Sequence, residues 1–101
     1  MNKEEIKDKL LKAVKECAYI SDIKWLAIFG SYVSGEAKEN SDVDVLIDFT
    51  EDAHVVFFKY VRIRRGLSEM LGLEVDRVTP QALSKYIKDA ILQQAETIYE
   101  R

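Results

Sequence analysis

The pattern of apolar and polar positions predicts a chain in which amphipathic helices alternate with short buried strands. Apolar residues recur at every third or fourth position over residues 3–18, and lysines and glutamates fill the other side, which predicts a helix. Residues 23–29 form a short apolar run that ends at a glycine, and residues 43–49 form a β-branched run. Both runs are typical of buried strands.

The middle of the chain carries the signals of a second long helix. Thr50 and Asp52 are candidate caps, and apolar residues recur at helical spacing over residues 54–71, with Val56 among them. Gly72 is placed to end that helix. We therefore expect a helix between the second strand and the next one.

The last third of the chain predicts a third strand at residues 73–78 and then one or two helices over residues 80–99. The predicted order is α-β-(turn)-β-α-β-α, without repeats or a linker. This is an α/β (α+β) pattern, in which helices flank a small mixed sheet of three or more strands. Residues 1–101 are predicted to form one domain.

Composition and charge exclude several classes of function. No segment has the roughly 18 apolar residues that a membrane span needs, and the N-terminus lacks the apolar core of a signal peptide. The single cysteine, Cys17, suits a packed helix position in a reducing cytoplasm. The net charge of −3 disfavours general nucleic-acid binding, although Arg62, Arg64 and Arg65 cluster. That cluster is either a solvated face or a contact for an acidic partner or RNA.

Two aspartates stand at the start of the second apolar run. Asp42 and Asp44 are two residues apart, so on a strand both project from the same face. Carboxylates so close repel each other unless a cation lies between them. Mg²⁺ takes oxygen ligands, typically one or two carboxylates with water and substrate phosphates. The alternative is a solvated strand start, but a buried strand with paired acids at one end favours metal binding.

A turn that suits phosphate follows the first apolar run. Gly30 allows the chain to turn sharply, and Ser31 begins one helical turn over residues 31–35, where it offers a hydroxyl and a backbone N–H. Gly35 allows a second close approach. The turn is not a P-loop, because no Gly-Lys-[Ser/Thr] follows it.

Asp76 is the best candidate for a third carboxylate. On its predicted strand, Asp76 and Glu74 share the face opposite to Val75. If this strand pairs with the strand of Asp42 and Asp44, Asp76 lies beside them. Three carboxylates and a phosphate-binding turn together suggest chemistry on a nucleoside triphosphate.

These motifs carry a resemblance to a known family. Gly30-Ser31, Gly35, Ser41-Asp42-Val43-Asp44-Val45 and Val75-Asp76-Arg77-Val78-Thr79-Pro80 resemble the minimal nucleotidyltransferase domain of the DNA polymerase β-like superfamily. The resemblance runs from about residue 23 to the C-terminus. The Gly-Ser turn and the Ser-Asp-x-Asp motif, at this spacing between two apolar runs, are its specific part.

The resemblance implies a magnesium-dependent nucleotidyltransferase. Asp42 and Asp44 would bind two Mg²⁺ ions, and Asp76 would bind the catalytic one and help to activate the acceptor hydroxyl. Gly30 and Ser31, with Gly35, would bind the nucleotide. The reaction would move AMP from ATP to a hydroxyl, with pyrophosphate leaving.

The resemblance also implies a partner. Small members of the family pair with toxins of the HEPN type and act as antitoxins that attach AMP to a tyrosine of the toxin. Many members carry an arginine where Ser34 stands here, and Lys38 is a candidate replacement. The alternative is a catalytically weak binding module that neutralises a toxin by masking it, and a third reading is half of an antibiotic-modifying enzyme. The acceptor, the base and the choice between homo- and hetero-oligomer are left open by the sequence.

Overall fold

The computed structural model describes residues 2–38, 41–54 and 57–101. Its helices are α1 (Lys3–Lys15), α2 (Ser31–Ser34), α3 (Phe57–Leu71) and α4 (Lys85–Gln94), and its strands are β1 (Ile23–Phe29), β2 (Val43–Phe49), β3 (Val75–Val78) and β4 (Glu96–Glu100). Short 3₁₀ turns lie at Ile20–Asp22 and Pro80–Ala82.

The four strands form one mixed sheet in the order β3-β2-β1-β4. β1 pairs antiparallel with β2 and with β4, whereas β2 and β3 are parallel. A parallel pair needs a crossover, and α3 supplies it between β2 and β3. The predicted α+β class, with a small mixed sheet flanked by helices, is confirmed.

One face of the sheet is covered by α1 and α3. The side chains that fill this core are apolar and almost fully buried, and they include Ile6, Leu10, Val14, Ile28, Val43, Val45, Ile47, Ile63, Leu67 and Val75. Helix α1 begins at a cap in which the Asn2 side chain accepts from the backbone N–H of Glu5 at 2.9 Å. The amphipathic pattern of the sequence therefore decides which side of each helix faces the sheet.

The element bounds agree with the sequence over β1 and β2 and differ elsewhere. Helix α1 ends at Lys15 rather than at residue 18, because the N–H of Cys17 bonds to Val14 O at 3.1 Å and tightens the last turn. The prediction that Thr50 or Asp52 caps the helix after β2 is wrong. The Ala53 N–H bonds back to Thr50 O at 3.1 Å and closes a turn there.

The other predicted bounds concern α3, the polar loop before β2 and the third strand. Helix α3 is described from Phe57 onwards, and the predicted apolar position Val56 lies outside the described residues. The end of the predicted polar loop, residues 39–40, lies outside them too. Gly72 ends α3 as predicted, with φ +70° and its N–H on Ser68 O at 2.8 Å. The third strand begins at Val75 rather than at residue 73.

The fourth strand has no counterpart among the elements predicted from the sequence. Residues 80–99 were predicted to be helical throughout, but α4 ends at Gln94 and Ala95 is extended (φ −61°, ψ 139°). The strand that follows pairs with the free edge of β1, and the Trp25 Nε1–H donates to Thr97 Oγ1 at 3.0 Å across that pairing. Since the partner edge lies about 70 residues away along the chain, local pattern gave no reason to end the helix there.

Candidate active site

The strand register places the two acidic strands side by side. Asp44 on β2 is directly opposite Asp76 on β3 and, on its other side, opposite Phe29 at the end of β1. Adjacent strands lie about 4.8 Å apart, so the two carboxyl groups are neighbours on one face of the sheet. Asp42 lies two residues before Asp44, with the same alternation, and is exposed. The condition under which the sequence places Asp76 beside Asp42 and Asp44, that the third strand pairs with their strand, is therefore met.

Asp44 experiences the charges of both other aspartates. Burial raises the pKa of the Asp44 carboxyl, and the negative charges of Asp76 and then Asp42 raise it further. Each cause disfavours a bare carboxylate at this position. A cation placed among the three would remove the repulsion, and carboxylate oxygens are the ligands that Mg²⁺ prefers.

The three carboxylates do not form a closed metal cage. Across residues 2–38, 41–54 and 57–101, no three acidic, histidine or cysteine side chains are placed to hold one metal ion by themselves. Mg²⁺ does not require such a cage, because it keeps several waters and shares its coordination with substrate phosphates. The donor set, three coupled carboxylates at one end of the sheet, fits a Mg²⁺ that binds together with a nucleotide.

Gly30 lies directly against Asp44. A Cβ on Gly30 would overlap the Asp44 carboxylate oxygen Oδ2 and would lie 3.2 Å from Asp44 Cβ. Its φ of +79° also lies in the region that favours glycine. No other residue fits here without displacing Asp44, so the glycine of the turn and the carboxylate of the neighbouring strand form one unit.

Ser31 and Gly35 bound the short helix that follows. Ser31 begins α2, and its carbonyl oxygen accepts the N–H groups of Glu36 at 3.0 Å and Ala37 at 3.1 Å. Gly35 ends α2 with φ +84°, and open space surrounds the position that its Cβ would take. The second glycine of the motif is thus explained by backbone conformation, whereas Gly30 is required by both conformation and space.

The position where the family often has arginine makes only a local contact. The Ser34 Oγ–H donates to Ser31 O at 3.3 Å, within the same turn. Lys38 lines a cavity with Lys3, Tyr32 and Gly35, separate from the cavity that Asp42 lines. The Lys38 backbone is nonetheless close to Asp42, since its N–H donates to Ser41 Oγ at 2.8 Å and its carbonyl oxygen accepts from the Ser41 N–H at 3.0 Å. The role of Lys38 as a replacement for the arginine stays a prediction.

Two residues found here, Gln94 and Gln81, had no signal in the sequence, whereas a third, Arg65, belongs to the arginine cluster that the sequence shows. The Gln94 Oε1, at the end of α4, accepts from the Gly30 N–H at 3.2 Å, and Gln81 Nε2 lies 3.5 Å from Asp48 Oδ1. Arg65 lines a cavity beside Asp42. These residues lie 23 to 64 positions away from their neighbours at the site, so only the tertiary fold brings them there.

Comparisons with known proteins show what family of proteins this chain resembles. The family model described as "Nucleotidyltransferase domain" matches residues 7–98. A relative from Thermococcus cleftensis named "Protein adenylyltransferase MntA" is 38% identical over 95% of this chain and 93% of its own length. A Methanocaldococcus jannaschii protein, provisionally named a protein adenylyltransferase, is 39% identical over 86% of this chain and 88% of its own length.

Solved structures give the same fold. A protein provisionally designated a minimal nucleotidyltransferase, 28% identical, superimposes with a TM-score of 0.76 over 95% of both chains. A chain from a toxin–antitoxin complex with AMP-PNP, 20% identical, gives 0.73 over 94% of this chain and 73% of its own, which shows the fold alone. The chain belongs to the nucleotidyltransferase domain family, and the resemblance seen in its sequence is confirmed. Among the described residues, none of the helices is long and apolar enough to cross a membrane.

Proposed function

We propose that the protein is a magnesium-dependent nucleotidyltransferase that moves AMP from ATP to a hydroxyl group, most simply a tyrosine, of a partner protein. The observation that carries this is the register that sets Asp44 between Asp76 and the Gly30 turn. It brings the three carboxylates together with the turn to which we assign phosphate binding, at one end of the sheet. The whole chain, residues 1–101, acts as one minimal domain in this proposal.

Each candidate residue has a role in the proposal. Asp42 and Asp44 hold two Mg²⁺ ions, Asp76 holds the catalytic one, and Gly30, Ser31 and Gly35 bind the nucleotide. When bound, the ions would supply neutralisation of the phosphate charge. Asp44 supports this role because its raised pKa reflects burial and two carboxylate neighbours that a cation would neutralise.

The reaction is a single displacement at phosphorus. The acceptor oxygen forms a bond to the α-phosphorus, and the bond from that phosphorus to the oxygen bridging to the β-phosphate breaks. Pyrophosphate leaves with that oxygen and its electron pair, and the hydroxyl proton passes to the Asp76 carboxylate. Asp76 is exposed on the edge strand, where an acceptor can reach it. Catalysis then depends on positioning and charge neutralisation.

The partner in this proposal is a HEPN-type toxin, and the protein is its antitoxin in the cytoplasm. The relative at 38% identity is named a protein adenylyltransferase, which supports a protein acceptor. The same fold occurs in a solved complex between a tri-AMPylated HEPN toxin from Shewanella oneidensis and an MNT antitoxin, at 16% identity and a TM-score of 0.67. Attachment of AMP to the toxin would neutralise it covalently.

One observation favours masking as a second candidate function. Phe57 is 81% exposed and Tyr86 is 84% exposed. Phe58 is slightly more than half exposed, and Ile87 is nearly half exposed. Large apolar side chains at such exposure, where they form a contiguous patch, are typical of protein-interaction surfaces. Together with Ser34 in place of arginine, this suits a protein that neutralises its partner by covering it.

The test uses ATP labelled at either the α- or the γ-phosphate. Purified protein, Mg²⁺ and a lysate of the native host are expected to give a protein band labelled only by the α-label. Asp42→Ala/Asp44→Ala should abolish the band, because the cation ligands are gone. Asp48→Asn is the matched control, since it lies on the same face of β2 outside the carboxylate cluster and should keep the band.

Two outcomes contradict the proposal. A band that carries the γ-label shows phosphoryl transfer instead. The absence of any band, with a partner that co-purifies and stays neutralised in Asp42→Ala/Asp44→Ala, establishes masking.

A further inference from the structure

A polar cavity of about 440 Å³ lies beside Asp42, on the side of the carboxylates away from the Gly30 turn. It is bounded by the second half of α3 and by the residues that lead into β3, and its charged and polar lining includes Asp42, Arg64, Arg65, Ser68 and Glu74. The proposed roles of Asp42, Asp44 and Asp76 leave this cavity without a function.

The order of the strands in the sheet determines which reactant can reach this cavity. Gly30 follows β1, Asp44 lies on β2, and the cavity adjoins the start of β3, so these parts follow one another across the sheet. An in-line displacement needs the acceptor and the leaving group on opposite sides of the phosphorus. Because the Gly30 turn holds the phosphates that leave, the acceptor has to arrive from the β3 side.

The cavity is lined by three carboxylates, Asp42, Glu69 and Glu74, and by two arginines, Arg64 and Arg65, that behave differently. The Arg64 guanidinium already has partners within the protein: its Nη2 lies 2.7 Å from Glu74 Oε2, and its Nε–H donates to Val75 O at 3.3 Å. Arg65 is exposed and makes no ion pair or side-chain hydrogen bond within the described residues. Arg65 is therefore the cation of this cavity that is available to a ligand.

We propose that this cavity binds the polypeptide segment that carries the acceptor hydroxyl, and that Arg65 recognises a carboxylate side chain near that hydroxyl. This proposal rests on the proposed function and adds to it the surface that binds the acceptor segment and the side chains that flank the acceptor hydroxyl. Arginine suits the task because its planar fork matches a carboxylate. Arg64, held by Glu74, stiffens the wall against which the segment lies.

The charge of the protein as a whole makes the proposal testable. With a net charge of −3, the long-range field repels an acidic peptide. A preference for acidic flanks must then come from a local cation rather than from general electrostatics. Nucleic acid is a different class of acceptor, and AMP transfer to nucleic acid in preference to a peptide would contradict this proposal.

The experiment measures AMP transfer from α-labelled ATP to synthetic peptides with one central tyrosine flanked by glutamates, alanines or lysines. The wild type is expected to prefer the glutamate peptide over the lysine peptide about fivefold, through KM for the peptide with kcat unchanged. Arg65→Glu should reverse the order, and Arg65→Gln should remove the preference. The KM for ATP should be the same in all of them.

The matched control is Arg62→Gln, an exposed arginine one turn earlier on α3 that lines a different cavity. It should behave as the wild type. Circular dichroism of each variant shows that α3 has formed. Unchanged peptide preference in a folded Arg65→Glu overturns the proposal, as does an oligonucleotide with a free 3′-hydroxyl that is labelled ahead of every peptide.

Fluorescence anisotropy of the same peptides separates failure of this proposal from failure of the proposed function. Suppose that the wild type binds the glutamate peptide more tightly than the lysine peptide, that Arg65→Glu reverses this order, and that no AMP is transferred. This result supports the cavity as the binding site and overturns the proposed reaction. AMP transfer whose peptide preference does not depend on residue 65 supports the reaction and overturns the role proposed for the cavity. If neither binding nor transfer depends on residue 65, the acceptor assignment is wrong.

Discussion

The two faces of the sheet differ in how the chain covers them. On one face, α1 and α3 bury a continuous apolar core in which Ile6, Leu10 and Val14 are fully inaccessible to solvent. On the other face lie the aspartates, and α4, whose Gln94 reaches the Gly30 turn, has no buried residue at all. The first face stabilises the fold, and the second keeps polar groups accessible at a cost in packing.

This difference explains how a small protein can tolerate three neighbouring carboxylates. The free energy that burial of the first face supplies, about 25 cal/mol per Å² of apolar area, offsets the repulsion on the second. The carboxylates lie on strands that the core holds rigidly, since Val43, Val45 and Val75 alternate with Asp42, Asp44 and Asp76. Rigid strands and a thinly covered face are what a site for an incoming substrate needs.

Truncation of an apolar side chain on each face should show the largest contrast. Leu10→Ala removes a fully buried side chain from the first face and should lower the free energy of unfolding by about 2–5 kcal/mol. Leu92→Ala, on the exposed α4, should change it by less than about 0.5 kcal/mol. Urea denaturation measures both. Equal losses would show that α4 is packed as firmly as α1.

Asp44→Asn should separate activity from stability. AMP transfer should fall by at least about a hundredfold, because a neutral amide cannot balance cation charge. Without Mg²⁺, the melting temperature at neutral pH should rise, because the buried charge and its repulsion by Asp76 and Asp42 are removed. Calorimetry with and without Mg²⁺ tests this, with Asp48→Asn as control. A lower melting temperature would mean that the ionised carboxylate stabilises the fold.

The two glycines that flank α2 should respond differently to alanine. Both have positive φ, so each substitution costs about 1 kcal/mol of backbone strain. Gly30→Ala should cost about 1–3 kcal/mol more, because its Cβ overlaps the Asp44 carboxylate, whereas Gly35→Ala meets open space. Thermal unfolding of the two variants measures the difference. Equal destabilisation would show that Asp44 moves aside freely.

The ion pairs between α1 and β4 should give the smallest effect. Glu96 binds Lys3 at 2.9 Å and Lys7 at 3.2 Å, and these hydrogen bonds lower the pKa of the Glu96 carboxyl. A lowered folded-state pKa adds stability above the ordinary carboxyl pKa, and this stability is lost as pH falls through the folded-state pKa. The side chains are about one third exposed, so we expect less than about 1 kcal/mol.

Unfolding of Glu96→Gln from pH 7 to pH 3 measures that contribution. The difference from the wild type should shrink as the pH falls, and Glu100→Gln, exposed on the same strand, should show none. A difference that stays constant with pH would assign the effect to packing instead of charge.

How much the sequence predicted depended on whether the signal was local. The bounds of β1 and β2 were predicted to the residue, because a short, mainly apolar run bounded by polar residues or glycine indicates a buried strand. The sequence placed acids on one face of each acidic strand, but the pairing of the Asp76 strand with the Asp44 strand was a condition that only the structure met. The roles of these residues and of Gly30, Ser31 and Gly35 stay predictions.

Long-range placement is what the sequence did not reveal. Strand β4, the contact of Gln94 with Gly30 and the position of Arg65 beside Asp42 each join residues 20 or more positions apart. Their local patterns fit a helix or a solvated face equally well. The sequence by itself determined the family, the acidic strands and the glycine turn, because those patterns are short and local. The tertiary structure alone decided what meets them, because pairing across a sheet depends on which edge is free and not on the pairing segment's own composition.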